Sequence, residues 1–155
     1  MTMTEFTQII AGFIGTLGFT ILFNLRGKRL VFTAVGGFLS WTLFVVFDNF
    51  EVGEALNYFI VAFLISVYAE IMAMALKCPT TTFITASLIP LIPGSSLYYT
   101  MANAFSSDRT GFMEKGLKTL ELAAALALGI IIATAGTAII KDFLRSKENN
   151  KRKNQ

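Results

Sequence analysis

The fold depends on the stretch Lys77-Cys-Pro-Thr-Thr-Thr-Phe-Ile-Thr-Ala-Ser-Leu-Ile-Pro-Leu-Ile-Pro-Gly-Ser-Ser-Leu-Tyr-Tyr-Thr-Met101. It is long and apolar enough to cross a bilayer, yet Pro90, Pro93 and Gly94 lie near its middle. Proline removes a backbone N–H donor and clashes with the preceding turn, so a continuous helix through this point is not expected. Backbone groups freed at membrane depth must be buried in protein or face a watery cavity. The stretch therefore predicts a membrane helix in two parts, the second beginning near Gly94.

A helix that begins at Gly94 presents free N–H groups, which suit an anion such as a carboxylate. Broken helices hold substrate carboxylates in this way in secondary transporters. The hydroxyls of Ser95 and Ser96 lie at the same helix start, and we predict a substrate site there. Tyr98 and Asn103 follow in the second part and are further candidates for substrate contact. The alternatives are a kink that only shapes packing and, for Tyr98, a place in the aromatic belt at the membrane interface.

Composition indicates an integral membrane protein. Of 155 residues, 54% are hydrophobic and 15% are charged, which leaves too little polar surface for a soluble domain of this size. Histidine is absent and there is one cysteine, so neither a disulfide framework nor a metal site is predicted, and no cofactor motif occurs. An enzyme is not expected, since no nucleophile–base pair has a readable spacing. The basic residues flank apolar runs, which argues for membrane topology rather than nucleic-acid binding.

Five apolar segments are long enough to cross a bilayer of lipids. They cover residues 6–25, 30–47, 55–76, 80–105 and 116–140. We therefore predict an all-α integral membrane protein with five transmembrane helices, the fourth broken at Pro90, Pro93 and Gly94. Residues 1–140 form the transmembrane domain, and residues 141–155 form a basic cytoplasmic tail.

The charge distribution predicts the orientation. With five crossings, ten of the thirteen lysine and arginine residues fall on one side of the membrane. Cytoplasmic loops carry an excess of such residues, which predicts a multi-pass protein of the inner membrane with its N-terminus outside and its C-terminus in the cytoplasm. An odd number of helices, one of them broken, is typical of one half of an inverted-repeat transporter.

Glu70 lies deep in the third apolar segment. An ionisable group inside a span marks a functional site or a buried pair. Lys77 lies two turns further along the same helix, too far for a direct pair within the helix. The alternative is a carboxylate near the interface that reaches water by snorkelling. Glu70 is our first candidate for coupling to a proton or another ion.

Glu121 begins a series of residues spaced by four in the fifth segment. Small residues at this spacing form a face against which another helix packs closely; the series is Glu121, Ala125, Gly129, Ala133 and Thr137. Glu121 is a second candidate for ion coupling. The alternative, slightly favoured for Glu121 alone, is an interfacial carboxylate neutralised by Lys118, three residues before it.

Three segments carry a resemblance to a known family. They are Leu22-Phe-Asn-Leu-Arg-Gly-Lys28, Tyr68-Ala-Glu-Ile-Met-Ala73 and Ile89-Pro-Leu-Ile-Pro-Gly-Ser-Ser-Leu-Tyr-Tyr-Thr-Met101. Together they resemble the threonine/serine exporter (ThrE) family, and specifically its small split subunit, which is similar to the C-terminal half of the fused exporters. The resemblance covers nearly the whole chain apart from the basic tail.

The resemblance implies export of small amino acids driven by the proton motive force, with a separate larger membrane subunit as partner. Some two-component members are linked instead to export of dicarboxylates such as succinate. The family motifs fall here on Glu70, Pro93, Gly94 and Tyr98. Serines follow Gly94 where the family pattern has glycines, so the substrate stays open.

We therefore expect one membrane subunit of a secondary exporter. In the expected mechanism, the helix start at Gly94 receives a substrate carboxylate while Glu70 binds a proton or the substrate ammonium group. The expected partners are the larger subunit, the lipid bilayer, a small carboxylate-bearing substrate and a possible second copy of the chain. The rival hypothesis is a structural membrane subunit that transports nothing itself.

Overall fold

The computed structural model describes residues 3–50 and 52–153, and every regular element in those residues is helical. The elements are α1 (Met3–Leu22), α2 (Lys28–Asp48), α3 (Glu54–Leu76), α4 (Thr81–Ser87), a 3₁₀ turn (Ile89–Leu91), α5 (Gly94–Phe105) and α6 (Arg109–Lys153). The prediction of an all-α protein is confirmed. Four helices are long and apolar enough to cross a membrane: α1, α2, α3 and the Arg109–Lys141 part of α6.

Small residues bring α1 and α2 together as an antiparallel pair. A Cβ added at Gly12 would lie 3.3 Å from Cβ of Trp41, and one added at Gly37 would overlap Thr16. Gly12 contacts Trp41 and Thr16 contacts Gly37, so a later position in α1 contacts an earlier position in α2. The two helices therefore run in opposite directions. Glycine is needed at both positions for this separation between the helix axes.

Two hydrogen bonds fix α2 against α3, also antiparallel. Asn57 Nδ2 donates to the carbonyl oxygen of Phe44 at 3.0 Å, and the Tyr68 hydroxyl donates to that of Phe32 at 2.8 Å. Polar side chains inside an apolar bundle are costly unless they are paired in this way. These bonds therefore stabilise one relative position of the two helices.

Helices α3 and α6 run in the same direction. Lys118 pairs with Glu54 near the start of α3, and Lys141 pairs with Glu70 further along both helices. We call the two ends of the bundle the Glu54 end and the Glu70 end. Because α3 finishes at the Glu70 end and α6 starts at the Glu54 end, the segment between them returns the chain across the bundle.

This returning segment is not one helix. Pro90 has no N–H donor, and around it the chain tightens to a 3₁₀ turn, in which the Leu91 N–H donates to Leu88 O at 2.9 Å. Pro93 occupies the cap position and Gly94 is the first residue of α5. Leu88 and Leu91 are buried, whereas Ile92 and Gly94 are exposed, so the 3₁₀ turn packs into the bundle and the backbone just after it does not.

The main apolar cluster lies between α3, the 3₁₀ turn and α6. Its buried members are Tyr58, Val61, Ile65, Leu88, Leu91 and Leu122. The outer faces of α1 and α6 are instead largely exposed apolar surface: only 17% and 11% of their most apolar windows are buried. Faces of this kind suit hydrocarbon or a membrane partner.

The last helix is longer than its apolar run. The hydropathy pattern places a span at 116–140, whereas α6 extends from Arg109 to Lys153. Neither glycine nor proline follows residue 136, so nothing in the sequence ends the helix where the apolar residues end. Lys141, the first residue of the predicted tail, consequently lies within α6.

Candidate functional site

Two groups of charged side chains join α3 to α6, one at each end of the bundle. The Glu70 pair consists of Glu70 and Lys141. The Glu54 cluster consists of Glu54, Lys118 and Glu121. The residues predicted to bind substrate or ions are distributed between these two places.

The Glu70 pair is a buried ion pair. The ammonium group of Lys141 donates to Oε2 of Glu70 at 2.5 Å, and the side chain of Glu70 is only 9% exposed. The Lys141 side chain is 40% exposed, so it stays in contact with solvent while its ammonium group reaches the buried carboxylate. Of the alternatives open from sequence, the structure shows a buried pair rather than a snorkelling carboxylate, and its partner is Lys141 rather than Lys77.

Small side chains make room for this carboxylate. Ala69 and Ala73 flank Glu70 along α3 and form a buried cluster with Phe83 of α4. Ser66 lies one turn before Glu70 on the same helical face and is fully buried. Its hydroxyl has no hydrogen-bond partner within the described part of the chain. A buried hydroxyl without a partner is uncommon, which makes Ser66 a polar neighbour that sequence analysis did not single out.

The Glu54 cluster is solvated. Lys118 Nζ lies 3.1 Å from Oε2 of Glu54 and 3.4 Å from Oε2 of Glu121, and the three side chains are 35–54% exposed. Glu121 is thus neutralised by Lys118, as the alternative for this residue predicted. Exposed ion pairs of this kind contribute little to stability, on the order of 0–1 kcal/mol.

An open cleft of about 810 Å³ adjoins the Glu54 cluster. Its lining residues are mostly charged: Glu54, Ser96, Glu114, Lys115, Leu117, Lys118 and Glu121. Two predicted site residues, Ser96 and Glu121, therefore meet at one cleft. Carboxylates and ammonium groups stand there side by side, an arrangement that complements a zwitterion.

The start of α5 is accessible, as an anion site requires. A Cβ added at Gly94 meets no atom within 4 Å, and Gly94 and Ser95 are exposed. The N–H of Gly94 donates to Ile92 O at 2.6 Å and that of Leu97 to Pro93 O at 3.1 Å. The N–H groups of Ser95 and Ser96 have no backbone partner among the described residues.

Tyr98 and Asn103 lie apart from this helix start. The Tyr98 ring is 68% exposed and packs edge-to-face on Tyr99, with ring centroids 5.5 Å apart. Asn103 belongs to the turn between α5 and α6: its carbonyl accepts the N–H of Asp108 at 3.0 Å. A Cβ on Gly111 would lie 2.6 Å from its amide nitrogen. Here Asn103 stabilises the turn, and it lies about 13 Å along the axis from Gly94.

The structure does not bring Glu70 and Gly94 into one site. Ser96 lines the cleft at the Glu54 end, whereas Glu70 is about sixteen residues, or about 24 Å, further along α3 from Glu54. One small amino acid cannot reach both places at once. The alternative in which Glu70 binds the ammonium group of a substrate whose carboxylate is at Gly94 is therefore corrected for this conformation, while binding of a proton by Glu70 stays a prediction.

The small-residue face of α6 contacts α3 between the two charged groups. A Cβ added at Gly129 would lie 2.6 Å from the carbonyl oxygen of Phe59 and 3.0 Å from Cβ of Ala62. Ala133, the next residue of the series, is 1% exposed. The predicted helix–helix contact is present at these two residues.

Within the described residues, no group of three or more metal-ligating side chains comes together. Comparisons with known proteins identify the family. A family model described as "Threonine/Serine exporter, ThrE" matches residues 8–135. No curated protein and no solved structure matches the chain. Because the family model covers most of the sequence, the chain belongs to the threonine/serine exporter family, and it is a membrane protein of a family of amino-acid exporters.

Proposed function

We propose that this member of the threonine/serine exporter family is one membrane subunit of a proton-driven exporter of small amino acids, with threonine and serine as its first candidate substrates. One observation carries the proposal: a carboxylate, Glu70, is buried on a membrane-spanning helix and held by a cation from another span. Ionisable groups at such depth occur chiefly where protons, ions or substrates are handled. Glu70 is accordingly the proton-coupling residue in this proposal.

Five crossings place the chain in the membrane in this proposal, with the α4–α5 segment as the fourth. The parallel direction of α3 and α6 supports this count. The orientation follows the charges: Arg26, Lys28 and Lys77 lie at the Glu70 end, which faces the cytoplasmic side of the inner membrane.

In a Cys78→Ser background, Gly53→Cys should react with an impermeant thiol reagent from outside, and Asn149→Cys should react only after the membrane is opened. Outside labelling at Asn149 contradicts the orientation.

The cleft at the Glu54 end is the proposed substrate site. The first-turn N–H groups of α5 and the hydroxyls of Ser95 and Ser96 take the substrate carboxylate, while Glu121 is available to its ammonium group. Tyr98 and Asn103 do not line this cleft and remain candidates for substrate contact only if α5 moves. Glu121 thus serves the substrate here, and ion coupling rests on Glu70.

Charge in the cleft favours an amino acid over a dicarboxylate. Three carboxylates, those of Glu54, Glu114 and Glu121, stand against the two ammonium groups of Lys115 and Lys118. A substrate with two negative charges meets net repulsion there, whereas a zwitterion does not. Succinate-type export is therefore the second candidate substrate class, and its prediction is competition by succinate but not by threonine.

A larger membrane subunit is the proposed partner. The broad exposed apolar faces of α1 and α6 support a partner or lipid against them. A second copy of this chain is the alternative partner. Purification from native membranes in mild detergent, followed by mass spectrometry of the intact complex, distinguishes the two.

The deciding experiment measures threonine flux in inside-out membrane vesicles that contain the intact system. Glu70→Gln should be present in normal amount yet lose the flux that an imposed pH gradient drives. Asp48→Asn, which removes an exposed carboxylate at the end of α2 and outside the cleft, is the matched control and should keep gradient-driven flux. Full pH-driven flux in Glu70→Gln rejects Glu70 as the coupling residue. An absence of threonine flux in the wild type rejects threonine as the substrate.

A further inference from the structure

We propose that Lys141 is the internal counter-ion that neutralises Glu70 while the exporter carries its substrate outward across the membrane. This inference rests on the proposed function and names a residue to which sequence analysis gave no role. It starts from the Glu70 pair, in which Lys141, seventy-one residues away in sequence, contacts the buried carboxylate.

A buried carboxylate has three states: protonated, paired with a cation, or bare. The bare state is strongly unfavourable in apolar surroundings, because a charge taken out of water is not compensated. A transport cycle has a loaded leg and an empty return leg. Because an inward proton gradient drives export, the proton is carried in on the leg that returns without substrate, where it neutralises Glu70. Another group must therefore neutralise Glu70 on the loaded leg.

Lys141 is built for this exchange. Its side chain is 40% exposed and sits on a flexible four-carbon stem, so the ammonium group can return to water when a proton takes its place. On proton release, the Glu70 carboxylic acid gives its proton to water, and the Lys141 ammonium group moves onto the carboxylate with its own protons unchanged. The pair then breaks again when Glu70 is reprotonated.

The other ionisable groups near Glu70 do not replace Lys141 in this structure. On α3 itself, the Tyr68 hydroxyl donates to Phe32 O at 2.8 Å, and Lys77 caps the helix end in a left-handed conformation. Helix α4, which packs on the same cluster, carries no ionisable residue, although Cys78 precedes it. Lys28 and Arg29 begin α2 at this end of the bundle. The contact with the carboxylate is made by Lys141.

The test compares two transport modes in vesicles containing the intact system, with radiolabelled threonine as probe. Exchange of threonine for threonine uses only the loaded leg, whereas net flux also needs the empty return. Lys141→Met should lower both exchange and net flux by about tenfold or more, since Glu70 would have to be bare on the loaded leg. Glu70→Gln/Lys141→Met, which has a neutral side chain at position 70, should keep exchange. Lys141→Arg, which keeps the cation, should retain both modes.

The results separate this inference from the proposed function. If Glu70→Gln loses gradient-driven flux while Lys141→Met keeps net flux, only the counter-ion role is overturned. If Glu70→Gln/Lys141→Met loses exchange as fully as Lys141→Met does, at normal protein level, Lys141 is structural and the inference is likewise overturned. If Glu70→Gln changes nothing, the proposed coupling site and the inference both fail.

If Lys141→Met lowers the amount of protein in the membrane, a comparison of two further variants still tests the inference. Glu70→Gln and the double variant Glu70→Gln/Lys141→Met both carry a neutral side chain at position 70, which needs no counter-ion. The inference expects the two to show the same exchange and the same downhill net flux. A further loss of flux in the double variant, at equal protein level, would overturn it.

Discussion

The Glu54 cluster and the Glu70 pair use the same side-chain chemistry in opposite surroundings. At the Glu54 end, Lys118 is shared by two carboxylates that are about half exposed. At the Glu70 end, one lysine meets one carboxylate that is almost fully buried. The two lysines are similarly exposed, so the difference lies in the carboxylates: Glu70 is 9% exposed, whereas Glu54 and Glu121 are about half exposed. Loss of the partner cation should therefore cost much more free energy at Glu70 than at the other two. In the proposed function, substrate contact belongs to the Glu54 end, the wet end, and coupling to the Glu70 end, the dry end.

The largest effect is expected from reversing the buried charge. Glu70→Lys places two ammonium groups together at the Glu70 end, and breaking such a pair costs about 3–5 kcal/mol or more. We expect little or no folded protein in membranes, measured by quantitative blotting and by detergent-stability assay. The swap Glu70→Lys/Lys141→Glu should restore much of the folded protein. If Glu70→Lys alone accumulates normally, the pair is not structurally buried in the membrane.

The next largest effect is expected at Gly129, where α6 packs against α3 between the Glu54 cluster and the Glu70 pair. Gly129→Leu puts a branched side chain where even a Cβ lies 2.6 Å from Phe59 O, so α3 and α6 must separate. We expect a marked loss of assembled protein. Gly136→Leu on the same helix is the matched control, because a Cβ there meets nothing within 4 Å. Equal behaviour of the two variants would mean that the contact at Gly129 is not needed.

A third prediction tests the wet end. Gly94 has open space around it and does not have a positive φ, so Gly94→Val should insert and fold normally. Its side chain would nevertheless stand in the approach to the first-turn N–H groups, and we expect threonine transport to be abolished. Gly53→Val, at another open helix start of the same end, is the control and should transport. Normal transport by Gly94→Val would make the break in the segment purely structural.

Two further variants at the α5 start sharpen this result. Ser95→Ala and Ser96→Ala each remove one hydroxyl, so each should raise the apparent KM for threonine by roughly tenfold, about the free energy of one hydrogen bond. Ser106→Ala is the control, because its hydroxyl donates to Ala102 O within the turn and lies away from the cleft. An unchanged KM in both serine variants would remove the hydroxyls from the site.

The smallest effect is expected from the solvated ion pairs. Lys118→Met removes the cation shared by Glu54 and Glu121, yet stability should fall by only about 0–1 kcal/mol. A thermal-shift measurement in detergent at low and high salt checks this, since the wild type should lose the same small difference at high salt. A large loss of stability in Lys118→Met would show that the exposed Glu54 cluster stabilises the fold as strongly as a buried ion pair does.

Hydropathy and proline placement predicted much of the fold. The first three segments match α1, α2 and α3 within three residues at each end, because a continuous apolar run bounded by charges must be helical to satisfy its backbone in lipid. The face at Gly129 was likewise readable from the spacing of small residues. The start of α6 at Arg109 was missed, since a polar first turn carries no hydropathy signal.

The candidate site was predicted less well than the fold. Glu70 was found because a charge inside an apolar run stands out, and Ser96 and Glu121 proved to share a cleft. Lys141 was assigned to the tail because a cation just after an apolar run usually marks the membrane boundary. The joint site of Glu70 and Gly94 was expected from chemistry alone, without knowledge of how far apart packing would place them.

By itself the sequence determined which segments are helical and apolar and where the returning segment cannot be one helix. These are local properties: transfer of side chains into hydrocarbon and the missing N–H of proline act within a few residues. Only the tertiary structure decided that Glu70 meets Lys141 and that Ser96 lines a cleft with the Glu54 cluster. Such pairings depend on how far α6 slides along α3, which is set by close packing at Gly129 and not by any pattern within a single helix.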